Sequence, residues 1–197
     1  MQRVFRQVVV AAALISVVFL VPAAAQRADR TTYTGTAIIY GTGVSTRSIT
    51  RGFRLDITGV SSASETESFL STLRDDGQDR LLRDIDDNDL GRFSLDGSVG
   101  RQTNAVMIEP ADGGRQRIRV VFARWIGFGE IRYGARSVDY PYSYVELLVD
   151  PRTGRGEGRY FQAARLRARG GNTLEIEDFG TFPSRLLSVS RRGRSIS

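Results

Sequence analysis

The sequence contains no cysteine, no histidine and no lysine, so all 28 of its basic side chains are arginines. Without histidine or cysteine, the chain lacks the ligands that zinc and copper sites prefer. Ser-His-Asp, Cys-His, Ser-Lys and Schiff-base mechanisms are excluded too, because each needs one of the missing side chains. Acid and base catalysis would fall to aspartate, glutamate or tyrosine, and no disulfide restrains the unfolded chain.

The first 25 residues have the pattern of a signal peptide. Arg3 and Arg6 precede an apolar run from Val8 to Val21, and the small residues from Ala23 to Ala25 provide an A-x-A cleavage site. The apolar run is shorter than the roughly 18 residues that a membrane-spanning helix needs. The cleavage site is not followed by a cysteine for lipid attachment, and the two arginines are not adjacent, so we predict a Sec-type route.

The predicted signal peptide sets the expected domain organisation and the expected location of the protein. We predict a bacterial precursor with a signal peptide over residues 1–25 and a single β-rich domain over residues 26–197. The mature protein is expected to be soluble, in the periplasm or secreted, with no stable membrane insertion after cleavage.

The arginines give a formal net charge of +6, which by itself would favour nucleic-acid or acidic-membrane partners. We attribute the replacement of every lysine by arginine to a composition bias, because most arginines are scattered and interleaved with acids. The one cluster, Arg191, Arg192 and Arg194, lies at the C-terminus, where short basic tails are usually solvated. We therefore predict no nucleic-acid partner.

The hydrophobic pattern indicates α+β architecture dominated by antiparallel strands. Alternation of apolar and polar residues predicts strands from about residue 32 to 40 and from 49 to 58. Overlapping SxxE capping boxes at Ser62 and Ser64 start a helical insertion over about residues 63–86. Seven further strands are predicted: Arg92–Leu95, Asn104–Ile108, Arg117–Trp125, Tyr142–Val149, Gly158–Arg167, Thr173–Glu177 and Arg185–Val189. Short turns between these runs favour hairpins, and about nine strands form a sandwich or a partly open barrel.

The acidic run from Asp84 to Asp89 resembles the start of a calcium loop, with Asp84, Asp86 and Asn88 at alternate positions. An EF-hand needs glycine at its sixth position and glutamate at its twelfth, and this chain has Asp89 and Leu95 there. A solvated helix end explains the run better, so we predict neither a metal nor another cofactor. A weak, irregular calcium site is the alternative.

A long connection from Trp125 to Tyr142 gathers aromatic, basic and acidic side chains between two strands, and long connections often carry function. Such side chains suit a sugar, peptide or anion site. The candidate ligand-binding residues are Trp125, Glu130, Arg132, Tyr133, Arg136, Asp139 and Tyr140. The structural alternative is that the aromatic residues are core and that Arg132 or Arg136 pairs with Glu130 or Asp139.

These patterns favour a non-catalytic binding protein for a small molecule, a glycan or an envelope protein. The alternative is a carboxylate-dependent hydrolase or lyase acting on envelope carbohydrate, with Glu130 and either Asp139 or Glu146 as its acid pair. Such an enzyme requires two acids in one cleft and a raised pKa at one of them. A structural role in an envelope assembly would instead require a sizeable exposed apolar patch and no deep pocket.

Four segments carry a resemblance to other proteins: SSASETESFLSTLRDDGQDRLL, IRYGARSVDYPY, GEGRYFQAARLR and IEDFGTFPSRLLSV. Together they resemble a family of uncharacterised exported bacterial proteins of about this length that have no assigned activity. The resemblance covers nearly all of the mature chain. It implies export and assigns no role to any residue.

Overall fold

The computed structural model describes residues 30–40, 47–169, 173–180 and 182–193. Ten antiparallel strands form one sheet: β1 (Thr31–Ile39), β2 (Ile49–Ile57), β3 (Gly91–Leu95), β4 (Arg101–Gln102), β5 (Ala105–Ala111), β6 (Arg115–Ala123), β7 (Tyr142–Val149), β8 (Arg155–Arg169), β9 (Thr173–Asp178) and β10 (Ser184–Arg192). Their order across the sheet is β4-β3-β2-β1-β10-β8-β7-β6-β5, and β9 pairs with β8. The first and last strands are therefore direct neighbours, with Thr32 opposite Arg192.

The sheet curls because its two ends are joined by a very short piece of chain. β4 and β5 lie at opposite ends of the strand order, yet only Thr103 and Asn104 separate them in sequence. The Thr103 amide donates to the carbonyl of Gly91, the first residue of β3, at 3.0 Å, and the Asn104 amide donates to the Val121 carbonyl in β6 at 2.9 Å. The result is a half-barrel, which has an inner and an outer face.

Strand alternation sends one set of apolar side chains to the inner face. In β2 these are Phe53, Leu55 and Ile57, and they belong to the same buried cluster as Val145 and Leu147 of β7 on the far side of the half-barrel. This inner core fills most of the curled sheet and leaves one end open.

The outer face of β7 and β8 is covered by two helices, α1 (Ala63–Asp75) and α2 (Gln78–Ile85). A capping box between Ser62 and Glu65 starts α1, and Gly77, with φ of 83°, separates the two helices. A second buried cluster holds the helices on the sheet: Phe69, Leu70, Leu73, Leu81 and Ile85 from the helices, and Tyr142, Tyr144, Phe161 and Leu166 among the residues from the sheet.

The predicted fold class is confirmed, and the partly open barrel describes it better than the two-sheet sandwich. The helical insertion predicted over residues 63–86 is present as α1 and α2. β4 was missed because two residues are too short to show a period, and β6 ends at Ala123 rather than at Trp125. The predicted signal peptide lies outside the described residues. No helix in the described ranges has the length and apolar character that crossing a membrane would require.

Candidate functional site

A cleft of about 760 Å³ occupies the open end of the half-barrel. Its floor is aromatic, because Phe93 of β3, Phe122 of β6 and Tyr160 of β8 all face inward there. The ring of Phe93 lies 5.7 Å from that of Phe122 and 4.8 Å from that of Tyr160, measured between ring centres. These tilted contacts are favourable aromatic geometry, so the floor is a preformed apolar surface.

Polar groups from β7 and β8 form one wall above this floor. The pairing of β7 with β8 shifts register between Tyr142 and Tyr144, and this bulge brings Ser143, Gln162 and Ala163 together at the cleft. The Ser143 hydroxyl donates to the Gln162 carbonyl at 2.9 Å. Side-chain hydrogen-bonding capacity is therefore placed next to the aromatic floor.

A second wall is the segment between β6 and β7, which contains a short helix, α3 (Phe128–Arg132), and a 3₁₀ turn (Arg136–Asp139). The side chain of Arg124 holds this segment in place through hydrogen bonds. Its guanidinium donates to both carboxylate oxygens of Glu130, at 3.1 and 2.9 Å. It also donates to the carbonyl oxygens of Ser137 at 2.7 Å and Tyr140 at 2.9 Å. The wall is therefore tied to the end of β6 by one side chain.

Glu130 is saturated with hydrogen-bond donors. Besides Arg124, the Ser137 hydroxyl donates to it at 2.5 Å and the Gly127 amide at 3.2 Å. The hydrogen bonds from Arg124 and Ser137 lower the pKa of Glu130 to about 2. Its partner is thus Arg124, rather than the Arg132 or Arg136 considered from sequence. Its carboxylate stays ionised at neutral pH, in contrast to the raised pKa that a general acid requires.

The acids proposed for catalysis do not share one site. Glu146 lies on the outer face of β7, where Tyr144 donates to it at 3.2 Å and Arg159 at 2.7 Å, whereas Glu130 lines the cleft at the open end. Asp139 is exposed, and its carbonyl accepts a hydrogen bond from Gln78 of α2 at 2.9 Å. Of these three acids, only Glu130 lines the cleft in the described residues.

The rim of the cleft is apolar and accessible. Trp125, with 70% of its surface exposed, stands beside the Arg124–Glu130 pair, and Val99 and Phe179 contribute from the β3–β4 turn and from the end of β9. Arg101 of β4 also lines the cleft, because its pairing with Phe93 turns both side chains inward. Burial raises the pKa of Tyr160, while the Ser143 hydroxyl and the charges of Arg101 and Arg124 act in the opposite direction.

Of the seven residues predicted to bind ligand, Trp125 and Glu130 line the cleft. The guanidinium of Arg132 lies 6.0 Å from the ring of the exposed Tyr133, and Arg136 and Asp139 are also exposed. Tyr140 is buried, and its hydroxyl donates to Glu177 at 2.5 Å. The segment predicted from sequence therefore forms one wall of the cleft through part of its length.

The cleft residues that come from other strands were not predicted from the sequence, among them Arg101, Arg124, Ser143, Tyr160 and Gln162. Arg124 could have been recognised from the sequence, because it directly precedes Trp125 and lies six residues before Glu130. The others could not, because their position depends on long-range strand pairing.

The calcium candidates are part of a structural turn. Asp84 pairs with Arg80 at 3.0 Å, while the carbonyls of Asp86 and Asn88 accept hydrogen bonds from the Asn104 side chain, each at 3.1 Å. Across the described ranges, no group of three or more acidic side chains is placed to hold a metal ion.

No protein-family model, curated protein or solved structure matches this chain. The resemblance to exported bacterial proteins therefore stays a prediction from the four sequence segments.

Proposed function

We propose that this protein is a non-catalytic binding protein that takes a small molecule into the cleft at the open end of its half-barrel. The observation that carries the proposal is the composition of the cleft. An aromatic floor of Phe93, Phe122 and Tyr160 faces a hydrogen-bonding wall at Ser143 and Gln162, within a volume of about 760 Å³. Ligand sites are typically concave, mostly apolar, and about 300 to 1,000 Å³ in volume.

The walls favour a preformed site. Arg124 makes hydrogen bonds to Glu130, Ser137 and Tyr140, so the segment above the cleft is held before any ligand arrives. A preformed site avoids part of the ordering cost of binding. A recessed aromatic floor also suits a small apolar group better than a flat protein surface or a fully hydroxylated glycan.

Binding is favoured over hydrolysis by the state of the acids. Glu130 is the one carboxylate among the described residues lining the cleft, and its oxygens are occupied by Arg124, Ser137 and Gly127. A glycosidase-type mechanism needs two carboxyl groups about 5 to 10 Å apart across the substrate bond. The cleft supplies one, held as a structural ion pair.

The proposed function includes a location outside the cytoplasm. The predicted signal peptide over residues 1–25 supports work in the periplasm or outside the cell. The mature protein would then meet small amphipathic molecules of the bacterial envelope. Cell fractionation with an antibody against the mature chain tests the location independently of binding, and accumulation of full-length precursor in the cytosol would contradict it.

The binding proposal can be tested with N-phenyl-1-naphthylamine, a flat, uncharged dye that fluoresces when it leaves water. We expect saturable binding to the wild-type protein, with energy transfer from Trp125, the only tryptophan, which stands at the rim. Ala163 lines the cleft, so A163F should fill the site and weaken dye binding at least ten-fold.

The matched control is A111F, because Ala111 pairs with Arg115 at the far end of the β5–β6 hairpin, about 25 Å of strand from the cleft. It should bind the dye as the wild type does. Absence of saturable binding to folded wild-type protein, or equal binding by A163F and A111F, would reject the cleft as a ligand site. Circular dichroism and thermal unfolding establish that each variant is folded.

A further inference from the structure

Arg101 differs from every other charged group around the cleft. It lies in β4 opposite Phe93, so strand pairing points it at the aromatic floor, and it lines the cleft. No carboxylate among the described residues lies within salt-bridge distance of its guanidinium. An arginine side chain carries five N–H donors in a planar fork, and those of Arg101 are not used by the described part of the protein.

The other charges of the cleft cancel. Arg124 is bound bidentately to Glu130, and these two with Arg101 are the charged residues of the described lining. One uncompensated positive charge therefore remains, at Arg101. Arg101 lies directly opposite Phe93 in the β3–β4 pairing, so this charge is next to one ring of the aromatic floor.

We propose that the natural ligand is an amphipathic monoanion, whose apolar body lies on Phe93, Phe122 and Tyr160 while an oxyanion group such as a carboxylate or a sulfonate binds Arg101. This inference rests on the proposed function and specifies the ligand class of the same cleft. Two oxygens of a carboxylate or a sulfonate can accept two parallel hydrogen bonds from the guanidinium fork. The apolar body accounts for the exposed rim of Trp125, Val99 and Phe179, which a bound ligand would cover.

A matched pair of dyes separates the charge from the apolar body. N-phenyl-1-naphthylamine and 8-anilinonaphthalene-1-sulfonate share one aromatic skeleton, and only the second carries a negative charge. The wild-type protein should bind the sulfonate at least ten-fold more tightly than the neutral dye at low ionic strength. Salt should weaken sulfonate binding more than neutral-dye binding, because screening acts on the charge.

R101Q removes the cation and retains a polar side chain. We expect it to weaken sulfonate binding at least ten-fold and to leave neutral-dye binding within two-fold of wild type. The control is R115Q, which makes the same change in net charge at the exposed end of the β5–β6 hairpin and should alter neither affinity. A163F should weaken both dyes, which assigns sulfonate binding to the cleft rather than to another apolar surface.

The outcomes distinguish the two proposals. If neither dye binds the wild type, the proposed function fails. The neutral dye could bind in the cleft while R101Q weakens the binding of both dyes equally, or of neither. In that case Arg101 does not bind the anion and the proposed ligand class is wrong, but the proposal that the cleft binds a ligand stands. Sulfonate binding that survives A163F also overturns the assignment to Arg101. Inorganic phosphate should not displace either dye, because it lacks an apolar body.

Discussion

Both carboxylate oxygens of Glu130 are bound by the guanidinium of Arg124, at 3.1 and 2.9 Å, across six residues of one connecting segment. Arg124 is largely buried and Glu130 is about one-third exposed. The pair joins the end of β6 to α3, and the same arginine reaches the carbonyls of Ser137 and Tyr140. The wall of the cleft thus depends on one charge-assisted cluster of hydrogen bonds.

E130Q should destabilise the protein in a pH-dependent way. The folded pKa of Glu130 is about 2 and its ordinary value is 4.5, so its ionised form contributes stability that is complete above pH 4.5 and disappears as the pH falls toward 2. We expect E130Q to lower the free energy of unfolding by about 2 kcal/mol at pH 7. Urea unfolding of both proteins between pH 7 and pH 2.5 measures the difference, which should shrink with acidity.

The matched control for E130Q is E67Q, since Glu67 is exposed on α1 and forms no ion pair within the described residues. This variant should unfold as the wild type does at each pH. A difference between E130Q and wild type that stays constant down to pH 2.5 would show that the charge of Glu130 is not the source of its contribution.

D56N should have a larger effect on stability than a change to an exposed acid. Asp56 is 11% exposed, and it accepts hydrogen bonds from Arg54 at 2.8 Å, Arg30 at 3.1 Å and the Thr32 hydroxyl at 2.5 Å. Burial alone would raise the pKa of Asp56, but these hydrogen bonds lower it to about 2. Removing the charge leaves two arginines facing each other, so we expect a loss of about 2 to 3 kcal/mol in urea unfolding.

Asp75 provides the comparison for Asp56, because it is 61% exposed and pairs only with its neighbour Arg74 in the described structure. D75N should change the free energy of unfolding by less than about 0.5 kcal/mol. Equal effects of D56N and D75N would contradict a structural role for the cluster around Asp56.

G77A tests the backbone at the break between α1 and α2. Gly77 has φ of 83°, and no atom lies within 4 Å of the position that a Cβ would take. Any effect of alanine must therefore come from the backbone conformation rather than from a collision. With φ of 83° and ψ of 177°, this conformation is essentially restricted to glycine, and we expect a loss of about 2 kcal/mol. G129A is the control, since Gly129 lies inside α3 with equally free space and no positive φ. It should be neutral or stabilising by about 0.5 kcal/mol in thermal unfolding.

Trp125 should report occupancy of the cleft directly. With 70% of its surface exposed, it should be strongly quenched by acrylamide in the free protein. A ligand that covers the rim should reduce the quenching constant at least two-fold, because it shields the indole from solvent. A quenching constant that stays unchanged when the cleft is saturated would mean that the ligand does not contact Trp125.

The predictable parts of this fold are those in which a pattern of neighbouring residues determines where each side chain lies. Alternation in β2 placed Phe53, Leu55 and Ile57 on one face, and the structure buries all three in the inner core. The Ser62–Glu65 capping box fixed the start of α1 because both partners lie within one helical turn. The two-residue strand β4 has no period to detect, and it is the strand that carries Arg101.

The candidate site was less predictable because its geometry comes from pairing between distant segments. Arg101 faces the cleft through its position opposite Phe93, and Gln162 enters through a bulge between β7 and β8. Neither the register of strand pairing nor the position of the bulge can be predicted from a short run of neighbouring residues. Glu130 and Trp125 are predictable because the unusual connecting segment that contains them is visible in the sequence, whereas the strand pairing that completes the cleft is not.

The pairing of β1 with β10 has a consequence for how the chain is made. Thr32 lies opposite Arg192, so the pairing of β1 at the middle of the sheet cannot form until β10 has been synthesised. A nascent chain that lacks residues 184–192 leaves one edge of β1 unpaired at Tyr33 and Ala37, two buried residues of the inner core. Contacts so far apart in sequence favour slow folding, and a chain in which β10 has not yet been made should remain open to chaperones and proteases.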